Sequence, residues 1–469
     1  METQGSHRDV AHLAGARMPA DHGLSALGLI MQLFGSLFLG VMALVAMIPV
    51  LSGGMVGAWV VFVIGALSAV RSAFHRMAGT SLLYRSTQAP MSGVNIYIGV
   101  ALAQTVIVLL LFKKQGPVPA SLMVTLGLAL AAWPLALLAI TRVPRLRRLA
   151  AEIPTPEDLG FEGAAVLMII LGATGTLAMA LYLWVVLKMP GDMLGDPRGL
   201  LLVATMVMLL VRSVMHVVAG VKGTRGIDSD GATEAAARYY NFGVVSSVIV
   251  GAVMLILAIM VPGGALSGRA LLPVGLMVYM LLIWPLILRR FYSERNFGIM
   301  MEGGGPNYRR APDAGLTALG WLLFAAGVFS LATSLPTAIF RTDVDVLTML
   351  QSMASMDGDA AGAAGRSPWW SVGLALAQLW AALELIGMTD RHRVAGTAYG
   401  VIGTVVTLYL NWPAIKGLRA LGGGIGPMGS VGELITVALA VVVPVCTVVL
   451  VNRRITPSAQ ARVREPPAT

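Results

Sequence analysis

Apolar residues in this chain neither alternate with polar ones nor recur only on one helical face. They form long unbroken runs separated by short polar stretches. Twelve runs approach or exceed the roughly 17–25 apolar residues that span a bilayer: 24–50, 56–75, 95–112, 119–140, 164–187, 199–218, 242–262, 270–288, 316–337, 369–388, 395–412 and 431–452. Barrel strands would be shorter and alternating, so the pattern predicts membrane-spanning helices. The first 23 residues are polar, and no short apolar core with a small-residue cleavage site precedes the first run, so no cleaved signal peptide is read there.

One signature occurs three times. Asp21-x-Gly23 is followed by Gly35, Asp158-x-Gly160 by Gly172, and Asp313-x-Gly315 by Gly327, with 14 residues from Asp to the later Gly in each copy. Each copy opens an apolar run, which predicts a triplicated unit of about 135–155 residues. The expected division is a cytoplasmic N-terminal tail at 1–20, four-helix repeats at 21–150, 158–300 and 313–455, and a cytoplasmic C-terminal tail at 456–469. Four spans is an even number, so successive units enter the membrane from the same side. The fold class expected is therefore all-α: a polytopic membrane protein of about 12 transmembrane helices, arranged as three parallel four-helix repeats with pseudo-threefold symmetry.

Other features recur in the same order. The third spans carry Ile98-Gly99-Val100, Phe242-Gly243-Val244 and Tyr399-Gly400-Val401, and the fourth carry Trp133-Pro134-Leu135, Trp284-Pro285-Leu286 and Val443-Pro444-Val445. A mid-helix proline removes a backbone hydrogen bond, so Pro134, Pro285 and Pro444 are expected to kink their helices. Asp21, Asp158 and Asp313 are read as N-caps of the first spans. The loop at 338–368 has apolar residues at three-residue spacing, which reads as a short surface helix ahead of a Trp369-Trp370 anchor.

Composition agrees with the pattern: 57% of the 469 residues are hydrophobic and 12% charged, against about 25% charged in soluble domains. The net charge of +10 is not read as nucleic-acid binding. Outside Arg71 and Arg212, 31 Lys and Arg remain, 22 in the tails and even-numbered loops and 9 in the odd-numbered ones. That asymmetry places both termini in the cytoplasm and the protein, multi-pass, in the inner (plasma) membrane. Basic linkers at 142–157 and 289–312 contact lipid headgroups in this reading. The single cysteine, Cys446, excludes an intrachain disulfide and a multi-cysteine metal site.

Few residues carry candidate chemistry. Arg71-Ser72-x-x-His75 recurs as Arg212-Ser213-x-x-His216 in the second spans. A cation at mid-membrane costs at least roughly 2.5–3.5 kcal/mol unless paired or hydrated. Arg212 is too deep to reach the surface, so it either faces a pathway or pairs with a carboxylate, Glu384 being the natural partner; the ion pair weighs more. Arg71 is expected to snorkel about 7 Å to the surface. In the third repeat the equivalent stretch aligns loosely at Glu384–Met388, or in another register at His392–Thr397. His75 and His216 would suit a haem held by two imidazoles, the one cofactor considered. Glu162 and Glu433 sit near span starts and match the helix dipole. The glycine-rich run at 422–426 lacks the context of a phosphate loop. No metal site, nucleophile elbow or Walker sequence is present, so no enzyme is expected.

The first functional expectation is passage of a small solute or ion, perhaps anionic, through a site lined by the second spans, with Arg212, His216, Arg71, His75 and Glu384 as its polar residues. The rival is a non-transporting scaffold or subunit of a larger membrane complex. A haem-bearing electron carrier is third. The partners expected are membrane lipids, then a small solute or partner membrane proteins, and no nucleic acid.

Overall fold

A computed structural model describes residues 23–51, 58–84, 90–115, 118–147 except 145, 160–188, 195–224, 231–260, 268–292, 314–340, 369–417 except 388, and 427–453. Twelve helices and no strand occur among them: α1 (Leu24–Leu51), α2 (Ala58–Tyr84), α3 (Pro90–Gln115), α4 (Ala120–Thr141), α5 (Phe161–Lys188), α6 (Pro197–Gly223), α7 (Ala232–Met260), α8 (Gly268–Phe291), α9 (Ala314–Phe340), α10 (Trp369–Gly387), α11 (His392–Gly417) and α12 (Pro427–Asn452). Eleven are long and apolar enough to cross a bilayer, and the Val437–Asn452 part of α12 is a shorter apolar stretch. The chain is thus an all-helical integral membrane protein with many spans. The three capping aspartates, the 341–368 part of the outer loop and the glycine-rich run lie outside the described residues.

Several helices run further than the apolar runs that announce them. The second span ends at 75 by hydropathy, whereas α2 continues to Tyr84. Its polar residues stay helical because their hydroxyls bond back to the preceding turn, Ser72 to Ser68 O at 2.8 Å, Thr80 to Arg76 O at 2.9 Å and Ser81 to Met77 O at 3.0 Å. In this way a hydroxyl is satisfied without water.

Consecutive helices pack together within α1–α4, α5–α8 and α9–α12, here called the first, second and third quartets. The leading helices α1, α5 and α9 also touch one another pairwise. Each leading helix further receives the last helix of another quartet: α8 packs on α1, α12 on α5 and α4 on α9. The middle of the bundle is therefore filled with side chains. Residues 24–33 of α1 and 161–170 of α5 are buried on every face, the pattern of a helix enclosed by protein.

Small residues permit this meeting. A Cβ on Gly163 would lie 2.8 Å from the Ala26 Cβ and 3.3 Å from that of Ala318. One residue earlier, Ser25, Glu162 and Thr317 are all buried. Gly23 lies against Thr317, Gly160 against Ser25, and Gly315 against Glu162. Gly23 and Gly160 hold φ of 71° and 81°, a conformation open chiefly to glycine, whereas Gly315 is already inside α9. Two further ties cross between quartets: the Tyr279 hydroxyl donates to the Ser36 carbonyl, and Arg453 Nη1 donates to Thr224 Oγ1 at 2.6 Å.

The later glycine of the recurring signature lies on the seam between the first two helices of each quartet. A Cβ on Gly35 would stand 2.5 Å from the Arg76 amide nitrogen, one on Gly172 2.7 Å from that of Val217, and one on Gly327 3.4 Å from that of Leu379. At Gly35 and Gly172 backbones this close exclude a side chain, and at Gly327 it is the Leu379 side chain, with Cγ 2.9 Å away, that crowds the position, which gives the 14-residue spacing a packing cause.

Candidate functional site

Arg71 sits at the midpoint of α2 and Arg212 deep within α6. Each points inward to its own quartet. Arg71 Nη2 donates to the Leu130 carbonyl at 2.8 Å and Nη1 to Gln104 Oε1 at 3.1 Å; Gln104 Nε2 in turn donates to Ser68 Oγ at 2.8 Å. Arg212 Nη2 donates to the Leu281 carbonyl, and Nη1 to Ser247 Oγ at 2.9 Å and more weakly to Ser246 Oγ at 3.4 Å. Both serine hydroxyls donate to the Gly243 carbonyl, at 2.6 and 3.1 Å. That leaves their lone pairs free for the guanidinium.

The two carbonyls have one property in common. Leu130 lies four residues before Pro134, and Leu281 four before Pro285. Proline has no N–H, so the carbonyl four residues back loses its helical donor. In both quartets the arginine of the second helix supplies the missing donor to the fourth helix and ties in the third. The prolines lie inside continuous helices rather than ending them. Leaving such a carbonyl bare in an apolar interior costs roughly 1–3 kcal/mol, and a bond to a charged donor is worth about 1.5–3 kcal/mol.

This revises two expectations. Arg71 does not snorkel, because α2 continues to Tyr84 and the guanidinium turns to Leu130 instead. Glu384 is not the partner of Arg212. It lies near the C-terminal end of α10, where Trp380 Nε1 donates to it at 3.3 Å and the Thr389 hydroxyl also donates. Local partners one turn away hold that carboxylate where α10 ends.

One turn beyond each arginine is a histidine in an aromatic clasp. Trp133 Nε1 donates to His75 Nε2 at 3.0 Å, and Trp284 Nε1 donates to His216 Nε2 at 2.8 Å. An indole N–H can only donate, so Nε2 must be the unprotonated nitrogen and both rings are neutral. His216 stacks on Tyr239 with centroids 4.0 Å apart and planes 1° apart; His75 lies 4.7 Å from Tyr97 at 33°. Tyr97 and Tyr239 also face Arg71 and Arg212 respectively. The arrangement does not fit bis-imidazole haem ligation through Nε2, because each of those lone pairs already accepts an indole proton. Replacing Trp284 by Phe keeps the ring and removes the donor. The expected cost is about 1–2 kcal/mol, read as a lowered unfolding midpoint in a fixed detergent, with the same sign for Trp133→Phe.

The tyrosines set the register of the third helices. Tyr97, Tyr239 and Tyr399 correspond, and four residues on stand Ala101, Gly243 and Gly403. A Cβ on Gly243 would meet Pro285 at 2.7 Å and one on Gly403 would meet Pro444 at 3.2 Å, while Gly99 has nothing within 4 Å. The Gly-Val match at Gly99 and Gly400 is therefore two and three residues, respectively, out of register with Gly243.

In the third quartet the seam glycines fix the second helix. Gly35 faces the residue after His75, Gly172 the residue after His216, and Gly327 faces Leu379. Gln378 thus occupies the histidine position and Leu374 the arginine position. Neither Glu384 nor His392 corresponds to them, and His392 opens α11. The tryptophan position holds Val443. Gln104, Ser246, Ser247, Tyr97, Tyr239 and Gln378 were not singled out by sequence, and Tyr399 entered only through its Gly-Val neighbours. In the first two quartets, a proline four residues after a carbonyl, with an arginine at matching depth, is the signal that finds them; in the third, where Leu374 replaces the arginine, that signal is missing.

Comparison with known protein families, characterised proteins and solved structures gave no match.

Proposed function

We propose that the protein is a non-transporting membrane scaffold, a rigid subunit that holds partner membrane proteins, rather than a conduit. The observation that carries this reading is the use made of both embedded arginines: each donates to a carbonyl freed by proline in its own quartet. The closed packing of α1, α5 and α9 at the centre supports it as well.

We further infer that the quartets are three parallel copies of one unit around a pseudo-threefold axis along the membrane normal. Support comes from equivalent residues meeting: Ala26, Gly163 and Ala318 converge, and each leading helix receives a fourth helix in the same cyclic sense. The unit boundaries remain those proposed from the repeat. The charge asymmetry supports an inner-membrane location with both termini in the cytoplasm.

Proteoliposomes test the functional reading. Chloride, nitrate and phosphate efflux should match that of protein-free vesicles, and Arg212→Leu should alter unfolding but no flux. An efflux above background that Arg212→Leu abolishes without unfolding the protein would overturn it.

A second reading, solute passage with anion preference, is favoured by one observation. The hydrogen-bond partners of Arg71 and Arg212 are all uncharged, so both positive charges remain uncompensated by those bonds and would attract an anion. In that reading His75, His216 and Glu384 complete the polar lining.

A further inference from the structure

Arg76 departs from the pattern of the three quartets. It lies opposite Gly35 on the seam between α1 and α2, where the second and third quartets have Val217 and Leu379. It is half-buried, and among the described residues its guanidinium makes no hydrogen bond or ion pair. The packing does not call for a charge there, since apolar residues fill both matching places. Helix α8 of the second quartet also lies on α1, with Tyr279 bonded to the Ser36 carbonyl and set against Gly40. Both α2 and α8 pack on α1 but hardly on each other. They leave a lateral groove floored by α1, with Arg76 on one wall facing Tyr279 on the other. Met77 and Met280, the residues that follow them, are 59% and 48% exposed, so the rims of the groove are open.

Depth decides what can reach this charge. Arg76 is eight residues, about 12 Å, from the end of α2, and Gly35 beside it is eleven residues, about 16 Å, from the start of α1. Half of the hydrocarbon core is about 15 Å thick. The Arg76 Cβ also leans toward the start of α2, away from the cytoplasmic headgroups in the orientation read from the loop charges. A lipid phosphate is therefore beyond the reach of its side chain, and its counter-charge has to come from within the membrane, where cations pair with carboxylates. Among its described residues, a second copy of the chain offers none at this depth. Glu162 is buried at the centre and Glu234 pairs with Arg238. Glu384 and Asp390 lie where α10 gives way to α11, Asp196 caps α6, and Glu433 is in the first two turns of α12. We propose that this groove docks a transmembrane helix of a different protein, which presents an Asp or Glu to Arg76. The inference rests on the scaffold reading above and gives the scaffold a point of attachment.

The test uses the full chain in its native cells, with the photo-crosslinker benzoylphenylalanine at position 77, at position 280 or, on another exposed face, at Leu110. Positions 77 and 280 should trap the same membrane protein, and the trapped segment should be a transmembrane helix with an Asp or Glu. Arg76→Leu should lower the yield at least tenfold, while Arg76→Lys keeps most of it. Leucine stands at this place in the third quartet, so Arg76→Leu should remain monodisperse. Arg76→Glu should also lose the adduct, and replacing the partner's carboxylate by arginine should restore it. A yield that Arg76→Leu leaves unchanged, a trapped segment without a carboxylate, or adducts with lipid or a second copy alone overturns the proposal. Protein adducts at position 110 but none at 77 or 280 overturn the docking site and leave the scaffold reading standing. No protein adduct at any of the three positions overturns both.

Discussion

Arg212→Leu lowers the stability of the membrane-embedded fold by about 2–4 kcal/mol. Two effects act in the same direction. In helices inserted but not yet associated, Arg212 faces lipid at a cost of at least roughly 2.5–3.5 kcal/mol. Folding relieves that cost by giving the guanidinium the Leu281 carbonyl and the Ser246 and Ser247 hydroxyls. Leucine removes the relief, and it also leaves the Leu281 carbonyl bare opposite Pro285. Arg212→Lys keeps the charge, but an ammonium lacks the planar fork that reaches α7 and α8 together, so an intermediate loss is expected. Reversible unfolding in mixed detergent and SDS reads all three variants. The same change at Arg71, which is less buried, should cost less.

Gly172→Leu has a larger effect and prevents correct packing of α5 on α6. Its Cβ alone would stand 2.7 Å from the Val217 amide nitrogen and 3.0 Å from the His216 Cβ. Neither can turn aside as the tip of a flexible side chain can, so the helices must part. Overpacking usually costs about 1–3 kcal/mol, and parting this seam also pulls His216 from Trp284 and Tyr239. A loss above about 3 kcal/mol is expected, seen as aggregation on size-exclusion chromatography. Gly99→Leu provides the contrast. No atom lies within 4 Å of its Cβ position, so that variant should elute and unfold like the parent.

These two glycines show how far the sequence could be read. The twelve runs located the twelve helices found among the described residues, because an apolar segment of membrane length has few other fates. The ends were harder to place. Hydropathy stops at Arg76, but hydroxyls bonded within α2 carry the helix on to Tyr84. The signature glycines were visible as a repeat, and their packing role needed coordinates. Gly99 and Gly243 look alike in a Gly-Val alignment, yet one meets nothing and the other meets Pro285. The arginines stood out by charge. Their partners did not, since a backbone carbonyl has no letter in the sequence, and pairing opposite charges pointed to Glu384. Only proline, by removing an N–H, marks where such a carbonyl lies.

The most direct test of the arginine–proline tie is a double-mutant cycle on Arg212 and Pro285. Alanine at 285 restores an N–H able to bond the Leu281 carbonyl within α8. Arg212→Leu should then cost markedly less in the Pro285→Ala background than in the parent, with a coupling of about 1–3 kcal/mol. If Arg212→Leu costs the same in both backgrounds, the arginine does not serve the proline-freed carbonyl and the account of this site is wrong.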